Sequence, residues 1–204
     1  MTITLTHAKS AAAAPARTAA RASSTNAAAS DEALIRRIAA GDQPAMRTLY
    51  ARHRIPLYRW LLSIVRDETR AEDLLSDVFL DVWRQAAAFR GQASVSTWLL
   101  AIARYKALSA RRSRVNAELD ERIASTVADP ADDPEAALQS KNRSEVLRDS
   151  LATLSPEHGE VIDLVYYHGK SVKEVADIVG VGEATVKTRM FYARQKLASL
   201  VAAA

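Results

Sequence analysis

Apolar residues recur along most of the chain at steps of three and four, the period of an amphipathic helix, and nowhere in sustained alternation. Leu34, Ile35 and Ile38 make a short stripe, opened by the N-cap type Ser30 and closed at Gly41. Asp42 restarts the chain as a second cap with Pro44 in the first turn. Met46, Leu49, Tyr50, His53, Leu57, Trp60, Leu61 and Ile64 carry the face of this helix, which Pro56 is expected to kink or split. Thr69 and Glu72 have capping-box spacing ahead of a wide apolar face of Leu74, Leu75, Val78, Phe79, Val82 and Trp83. A loop with Phe89, Arg90 and Gly91 leads to Ser94 or Ser96 as the cap of a fourth helix, marked by Trp98, Leu99, Ile102, Tyr105 and Leu108 and ending near Arg111 and Arg112.

From Val115 to about Ser140 the period fades, Asp129-Pro130 and Asp133-Pro134 punctuate the chain and acids accumulate, the pattern of a tether. A helix near residues 141 to 153 follows, then one from Ser155-Pro156-Glu157 to His168, a break at Gly169, and a capping box at Ser171 and Glu174. Val161, Ile162, Val165 and Tyr166 suit a strand by propensity, but their i, i+4 pairing and the flanking caps favour helix. The expected fold is all-α: two small helical domains at 31–113 and 141–204, joined by a flexible acidic linker at 114–140, the second containing a helix-turn-helix. Residues 1–30, rich in Ala and Ser with Lys9, Arg17 and Arg21, lack the apolar core of a leader peptide and read as a disordered basic tail, because such side chains bury too little surface to offset ordering entropy.

Composition narrows the chemistry. The 204 residues carry 28 basic and 24 acidic side chains, net +4, and no cysteine, which excludes disulfides, thiolate metal sites and thiol nucleophiles. Charge is distributed by segment: fourteen basic and nine acidic residues at 31–113, two and seven at 114–140, nine and eight at 141–204. The basic first half is a candidate for phosphate or other anionic surfaces. Every apolar run is broken by charge well short of the ~20 residues a membrane span needs, so membrane insertion is not expected and a cytoplasmic location is.

Three constellations stand out. In Ser171 to Leu197, Val172, Val175, Ala176 and Val179 meet Gly180-Val181-Gly182 and a second helix from about Glu183. Ala176 is small where two helices cross closely, Gly180 permits a positive φ, and Val186 closes the shared core. Thr185, Lys187, Thr188, Arg189, Phe191, Tyr192, Arg194 and Lys196 are left on or near the outer side, a set able to reach phosphates, guanine edges and thymine methyls. A solvated basic face is the alternative. Second, Asp73, Asp77 and Asp81 stack on one helix face, where like charges disfavour the helix unless something basic faces them. A solvated acidic stripe, or a pair such as Asp81 with Arg84, is the alternative; metal or acid–base use lacks a second ligand type. Third, Phe89, Trp98 and Tyr105 interleave with Arg90, Arg104, Lys106, Arg111, Arg112 and Arg114, as in surfaces where bases stack and cations track a single strand. The alternative is that Trp98 and Tyr105 are simply core residues, a reading that favours Trp98 over Tyr105. His7, His53, His158 and His168 show no ligand spacing, and no phosphate loop or nucleophile motif is present, so no catalytic, metal or cofactor site is expected.

The order of these parts resembles the sigma-70 superfamily, specifically its short extracytoplasmic-function (ECF) group of bacterial transcription initiation factors. The stretches carrying the resemblance are Ala71 to Trp83, Phe89-Arg90-Gly91 followed by Ser96-Thr97-Trp98-Leu99, and Leu154-Ser155-Pro156-Glu157 running into Thr185-Val186-Lys187-Thr188-Arg189. The resemblance implies a region 2 at 31–113 and a region 4 at 141–204, with no region 3 between. It implies that Asp73, Asp77, Leu80 and Asp81 dock on the beta-prime clamp helices of core RNA polymerase, region 4 meeting the beta flap. It implies further that Phe89, Arg90, Ser94, Ser96, Arg104, Lys106, Arg111 and Arg112 read and open the -10 promoter element, and that Thr185, Lys187, Thr188, Arg189, Phe191, Tyr192 and Arg194 read the -35 element. Such a factor does no chemistry itself, holds no cofactor, and is commonly restrained by an anti-sigma factor. Tyr192 stands where the family often has Arg or His, and Val95-Ser96 where an aromatic or Arg is common. A plain helix-turn-helix regulator leaves the acidic stripe and the Phe89–Arg114 block unexplained, and a protein-binding adaptor predicts no salt-dependent DNA affinity.

Overall fold

Local capping chemistry sets where most of the helices begin. In the computed structural model, which describes residues 29–124, 151 and 153–202, helix α1 spans Asp31–Ala39 and the Ser30 hydroxyl accepts from the Ala33 N–H. Helix α2, Gln43–Val65, opens with Asp42 accepting from the Ala45 N–H. It runs unbroken through Pro56, so the expected split does not occur. Proline removes one N–H donor, whereas Leu49 before it and Leu57, Trp60 and Leu61 after it are all buried and hold the two halves on one core.

Helix α3, Glu68–Gln85, is capped by Asp67, which accepts from Arg70 N–H, not by Thr69 as the spacing predicts. The preceding helix ends on Arg66 in the left-handed region (φ 55), which turns the chain so that Asp67 already reaches the first free donors. After a 3-10 turn at Ala86–Ala88, Ser94 caps α4 through the Thr97 N–H. Helix α4 covers Val95–Ala124, well past the end expected near Arg112 and into the acidic segment. The expected tail through residue 28, the rest of the tether and the helix near 141–153 lie outside the described residues, apart from Leu151 and Thr153.

In the second half α5, Pro156–Ile162, begins at Ser155 with Pro156 in the first turn. It widens into a π-helical segment at Asp163–Tyr167, which buries Leu164 while Tyr166 and Tyr167 face outward. Such wide turns recur at functional sites. Helix α6, Val172–Val179, shows both hydrogen bonds of the Ser171/Glu174 capping box. It ends on Gly180 at φ 73, and α7 follows at Glu183–Ala202. No strand occurs among the described residues.

A Cβ at Gly180 would meet nothing within 4 Å, so its requirement is backbone conformation alone. Gly180→Ala should therefore cost roughly 1–2 kcal/mol, the left-handed penalty of an L residue. Chemical denaturation measures it; an unchanged midpoint would mean that this turn relaxes without cost.

The core is continuous across the two halves. Leu34, Leu49, Trp60, Leu75, Val78 and Leu99 of the first half belong to the same buried cluster as Val161, Leu164, Val175, Val179 and Val186 of the second. The contact runs mainly between α4 and α6, so the halves that the sequence separates by a tether pack against each other.

Candidate nucleic-acid interface

The aromatic and basic block is gathered at the start of α4. Phe89, half-buried on the loop, and Trp98, in the first turn, lie with ring centroids 5.0 Å apart. With Arg90, Gly91, Gln92, Ala93 and Thr97 they line a cavity of about 320 Å³, open to solvent. Arg90 and Ser94 are exposed and Ser96 half-buried beside them. Arg111 and Arg112 are exposed farther along α4, about 20 Å from the first turn at 1.5 Å per residue. Tyr105 is 70% exposed, so it is not part of the core.

Two members of the block are already engaged. Arg104 Nε donates to Glu160 Oε1 at 2.6 Å and its Nη2 to Oε2 at 3.1 Å, joining α4 to α5. Lys106 Nζ lies 2.8 Å from Asp81 Oδ2, so one residue expected to meet polymerase and one expected to meet DNA neutralise each other. Arg84, the partner considered for Asp81 on its own helix, is more distant at 4.0 Å. Asp73, Asp77 and Leu80 remain exposed on α3, with Leu80 at 45%, while Leu75, Val78, Phe79 and Val82 fill the opposite face.

On α7, Val186, Met190 and Ala193 are buried, and Thr185, Lys187, Thr188, Phe191, Tyr192 and Arg194 are exposed. The Thr188 hydroxyl donates back to the Ala184 carbonyl, and Phe191 and Tyr192 meet edge to face at 5.5 Å. Arg194 Nε donates to the Tyr166 hydroxyl and its guanidinium covers that ring, so it is oriented by the π-helical segment. Arg189 is half-buried.

The seam between the halves contains pairings that no local sequence signal marks. Lys170 is only 9% exposed, and its Nζ donates to Ser96 Oγ at 2.6 Å and Thr97 Oγ1 at 3.1 Å. Glu174 accepts from Thr97 Oγ1 at 2.7 Å and Ser94 Oγ at 3.1 Å. Burial alone raises the Glu174 pKa, but the hydrogen bonds from Thr97 and Ser171 and the charge of Lys170 outweigh it and bring it to about 2. Arg59 donates to the Tyr167 hydroxyl, and Trp60 meets the His168 ring edge to face at 5.7 Å. These partners lie 73 to 108 residues apart, beyond any periodicity or spacing rule.

Burial pushes Asp163 up to about 6, and burial followed by the Lys170 charge pushes His168 down to about 4. The raised Asp163 contributes stability below pH 3.8 that is lost as pH rises through 6; the lowered His168 contributes stability above pH 6.5 that is lost as pH falls toward 4. Between pH 4 and 6 the two oppose each other. Asp163→Asn should therefore lose stability as pH falls from 6.5 to 4, and His168→Gln should gain it from 6 down to 4, in melting curves taken across that range. The same slope in both variants would show that these groups do not govern the response.

Residues 49–116 match the family model for Sigma-70 region 2, and residues 150–199 that for Sigma-70, region 4. Both parts of a promoter-directed transcription initiation factor are thus present and in order. ECF RNA polymerase sigma factor SigL of Mycobacterium tuberculosis (strain ATCC 25618 / H37Rv) is 33% identical over 164 residues, covering 78% of this chain and 90% of the relative. ECF RNA polymerase sigma factor SigK of Mycobacterium sp. (strain KMS) is 31% identical over 163 residues, covering 78% and 84%. Among solved structures, CnrH in complex with the cytosolic domain of CnrY has a TM-score of 0.61 at 28% identity, over 85% of this chain and 97% of its own. The sigma factor RpoE in complex with the anti-sigma factor NepR from Bartonella quintana has a TM-score of 0.56 at 26% identity, over 71% and 89%. The chain belongs to the sigma-70 family, within its group of ECF RNA polymerase sigma factors. It serves promoter-specific transcription initiation and is not an enzyme. No helix among the described residues is long and apolar enough to cross a membrane.

Proposed function

We propose that region 2 docks on the beta-prime clamp helices of core RNA polymerase through the exposed stripe Asp73, Asp77 and Leu80, with Asp81 held against Lys106 at its end. Carboxylates around one exposed leucine suit a basic helical partner with an apolar contact at its centre. Phe89, Arg90, Ser94 and Ser96 take the -10 element, and an unstacked base enters the cavity that Phe89 and Trp98 line side by side, while Arg111 and Arg112 serve the phosphates, joined by Arg104 and Lys106 once these are released from Glu160 and Asp81. Thr185, Lys187, Thr188, Arg189, Phe191, Tyr192 and Arg194 on α7 read the -35 element, α6 and α7 acting as the helix-turn-helix. Region 4 meets the beta flap, and the factor works in the cytoplasm. Two structural neighbours were solved with CnrY and with the anti-sigma factor NepR, which supports control by an anti-sigma factor here as well.

The observation that carries this assignment is the Phe89–Trp98 cavity, an aromatic-walled opening of about 320 Å³ at a helix N-terminus flanked by hydroxyls and Arg90. Run-off transcription with bacterial core polymerase on a genomic promoter library tests it. Specific starts should appear only with the protein, and Phe89→Ala should abolish opening while duplex -35 contacts persist. Specific duplex binding with no dependent start would instead describe an ordinary helix-turn-helix regulator.

A further inference from the structure

Among the α7 side chains assigned to the -35 duplex, Arg194 is held by a residue from outside that helix. Its Nε donates to the Tyr166 hydroxyl at 2.8 Å, and its guanidinium carbon stands 5.6 Å from the centre of the same ring. Tyr166 is 62% exposed, so the contact is not a by-product of core packing. It comes from the π-helical segment Asp163–Tyr167, which buries Leu164 and points two successive tyrosines outward, Tyr167 to Arg59 and Tyr166 to Arg194. Both Tyr166 and Arg194 belong to region 4, so their contact does not depend on where region 2 lies.

With Nε on the hydroxyl, the two terminal nitrogens of Arg194 keep their outward N–H donors, a fork that suits one phosphate. The ring and the hydroxyl fix the guanidinium plane beforehand, so less rotamer freedom is lost when an anion arrives. Position along α7 decides which part of DNA the fork meets. A recognition helix reads base edges with its N-terminal residues, and Lys187 and Thr188 fall in the first two turns. Arg194 lies eleven residues after Glu183, about 16 Å along the axis, beyond the ~12 Å width of the major groove and so at its backbone wall.

We propose that Tyr166 is a positioning residue for DNA binding: it sets Arg194 to clamp one backbone phosphate of the -35 duplex, which fixes the register of α7 in the groove without reading a base. The inference rests on the assignment of α7 to that duplex and narrows the part Arg194 plays in it. A phosphate contact carries register and orientation but no sequence.

The test uses the full chain and a fluorescein-labelled random-sequence duplex, with anisotropy followed from about 50 to 200 mM salt. Arg194→Gln should weaken binding at least about fivefold at low salt and lower the salt slope by about 1, the signature of one lost phosphate. Tyr166→Leu removes no charge, yet it should weaken binding at least about threefold and lower the slope in the same direction. With Arg194→Gln already present, Tyr166→Leu should leave affinity within about 1.5-fold and the slope unchanged. A merely structural role would weaken binding equally in both backgrounds and leave the slope alone. That result, or undiminished binding by Tyr166→Leu, overturns the proposal. If Tyr166→Leu does not fold, Tyr166→Phe, which keeps the ring but not the acceptor, carries the same comparison at about twofold. Lys187→Gln separates the two levels. Loss with Lys187→Gln but not with Tyr166→Leu sinks only the positioning role, and no loss with Lys187→Gln or Arg194→Gln sinks the assignment of α7 to DNA.

Discussion

Trp60→Ala is expected to be the most destabilising single substitution in region 2. Trp60 is the largest of the fully buried side chains, at 0% exposure, and is enclosed within the same cluster as Leu34, Leu49, Val78 and Leu99. Truncating a buried Trp to Ala removes its transfer free energy and leaves a cavity that neighbours fill only in part, together about 3–5 kcal/mol. A domain with a total stability of roughly 5–15 kcal/mol loses much of it. The melting temperature should fall by roughly 10 °C or more. The same substitution removes the ring on which His168 of region 4 rests, so the seam loosens along with the core. Thermal unfolding followed by circular dichroism measures the loss; a cost below about 1 kcal/mol would show that the site collapses around the smaller side chain.

Asp77→Arg should leave the fold intact and remove the activity. Asp77 is exposed and stands four residues from both Asp73 and Asp81, so reversing its charge turns two like-charge pairs into attractive ones and stabilises the helix by about 1 kcal/mol. Against a basic partner the same reversal replaces attraction by repulsion. Loss of a charged contact across an interface costs about 2–5 kcal/mol, so affinity for core polymerase should drop at least about thirtyfold. Factor-dependent run-off transcripts should disappear while the melting temperature is unchanged or slightly raised. Undiminished transcription by a well-folded variant would move the polymerase contact off this stripe.

The pair of predictions separates what holds the molecule together from what it presents, and the sequence carried the two kinds of information unequally. Caps at Ser30, Asp42, Ser155 and Ser171 were readable because each is a local exchange between one side chain and donors three residues away. Asp67 escaped that reading because Thr69 and Glu72 offer the same spacing two residues later, and only the left-handed turn at Arg66 decides between them. Whether Pro56 kinks its helix or splits it was left open by the sequence, since propensity counts the lost hydrogen bond and not the burial on either side that keeps the helix whole. The Asp73, Asp77 and α7 surfaces were legible as the outer complement of a periodic apolar face, whereas Leu80 entered only through the family resemblance.

What the sequence by itself determined is therefore the helical class, most helix starts, the buried faces and the family motifs, all of which depend on residues within a turn or two of each other. The tertiary structure alone decided which charges are free to act. Asp81 with Lys106, Arg104 with Glu160, and Lys170 with Ser96 and Thr97 are pairings between distant segments, fixed by where α4 meets α3, α5 and the turn before α6. A charge on a periodic surface reads the same in sequence whether it faces water, DNA or a carboxylate from another helix, and only the packing of those helices distinguishes the three.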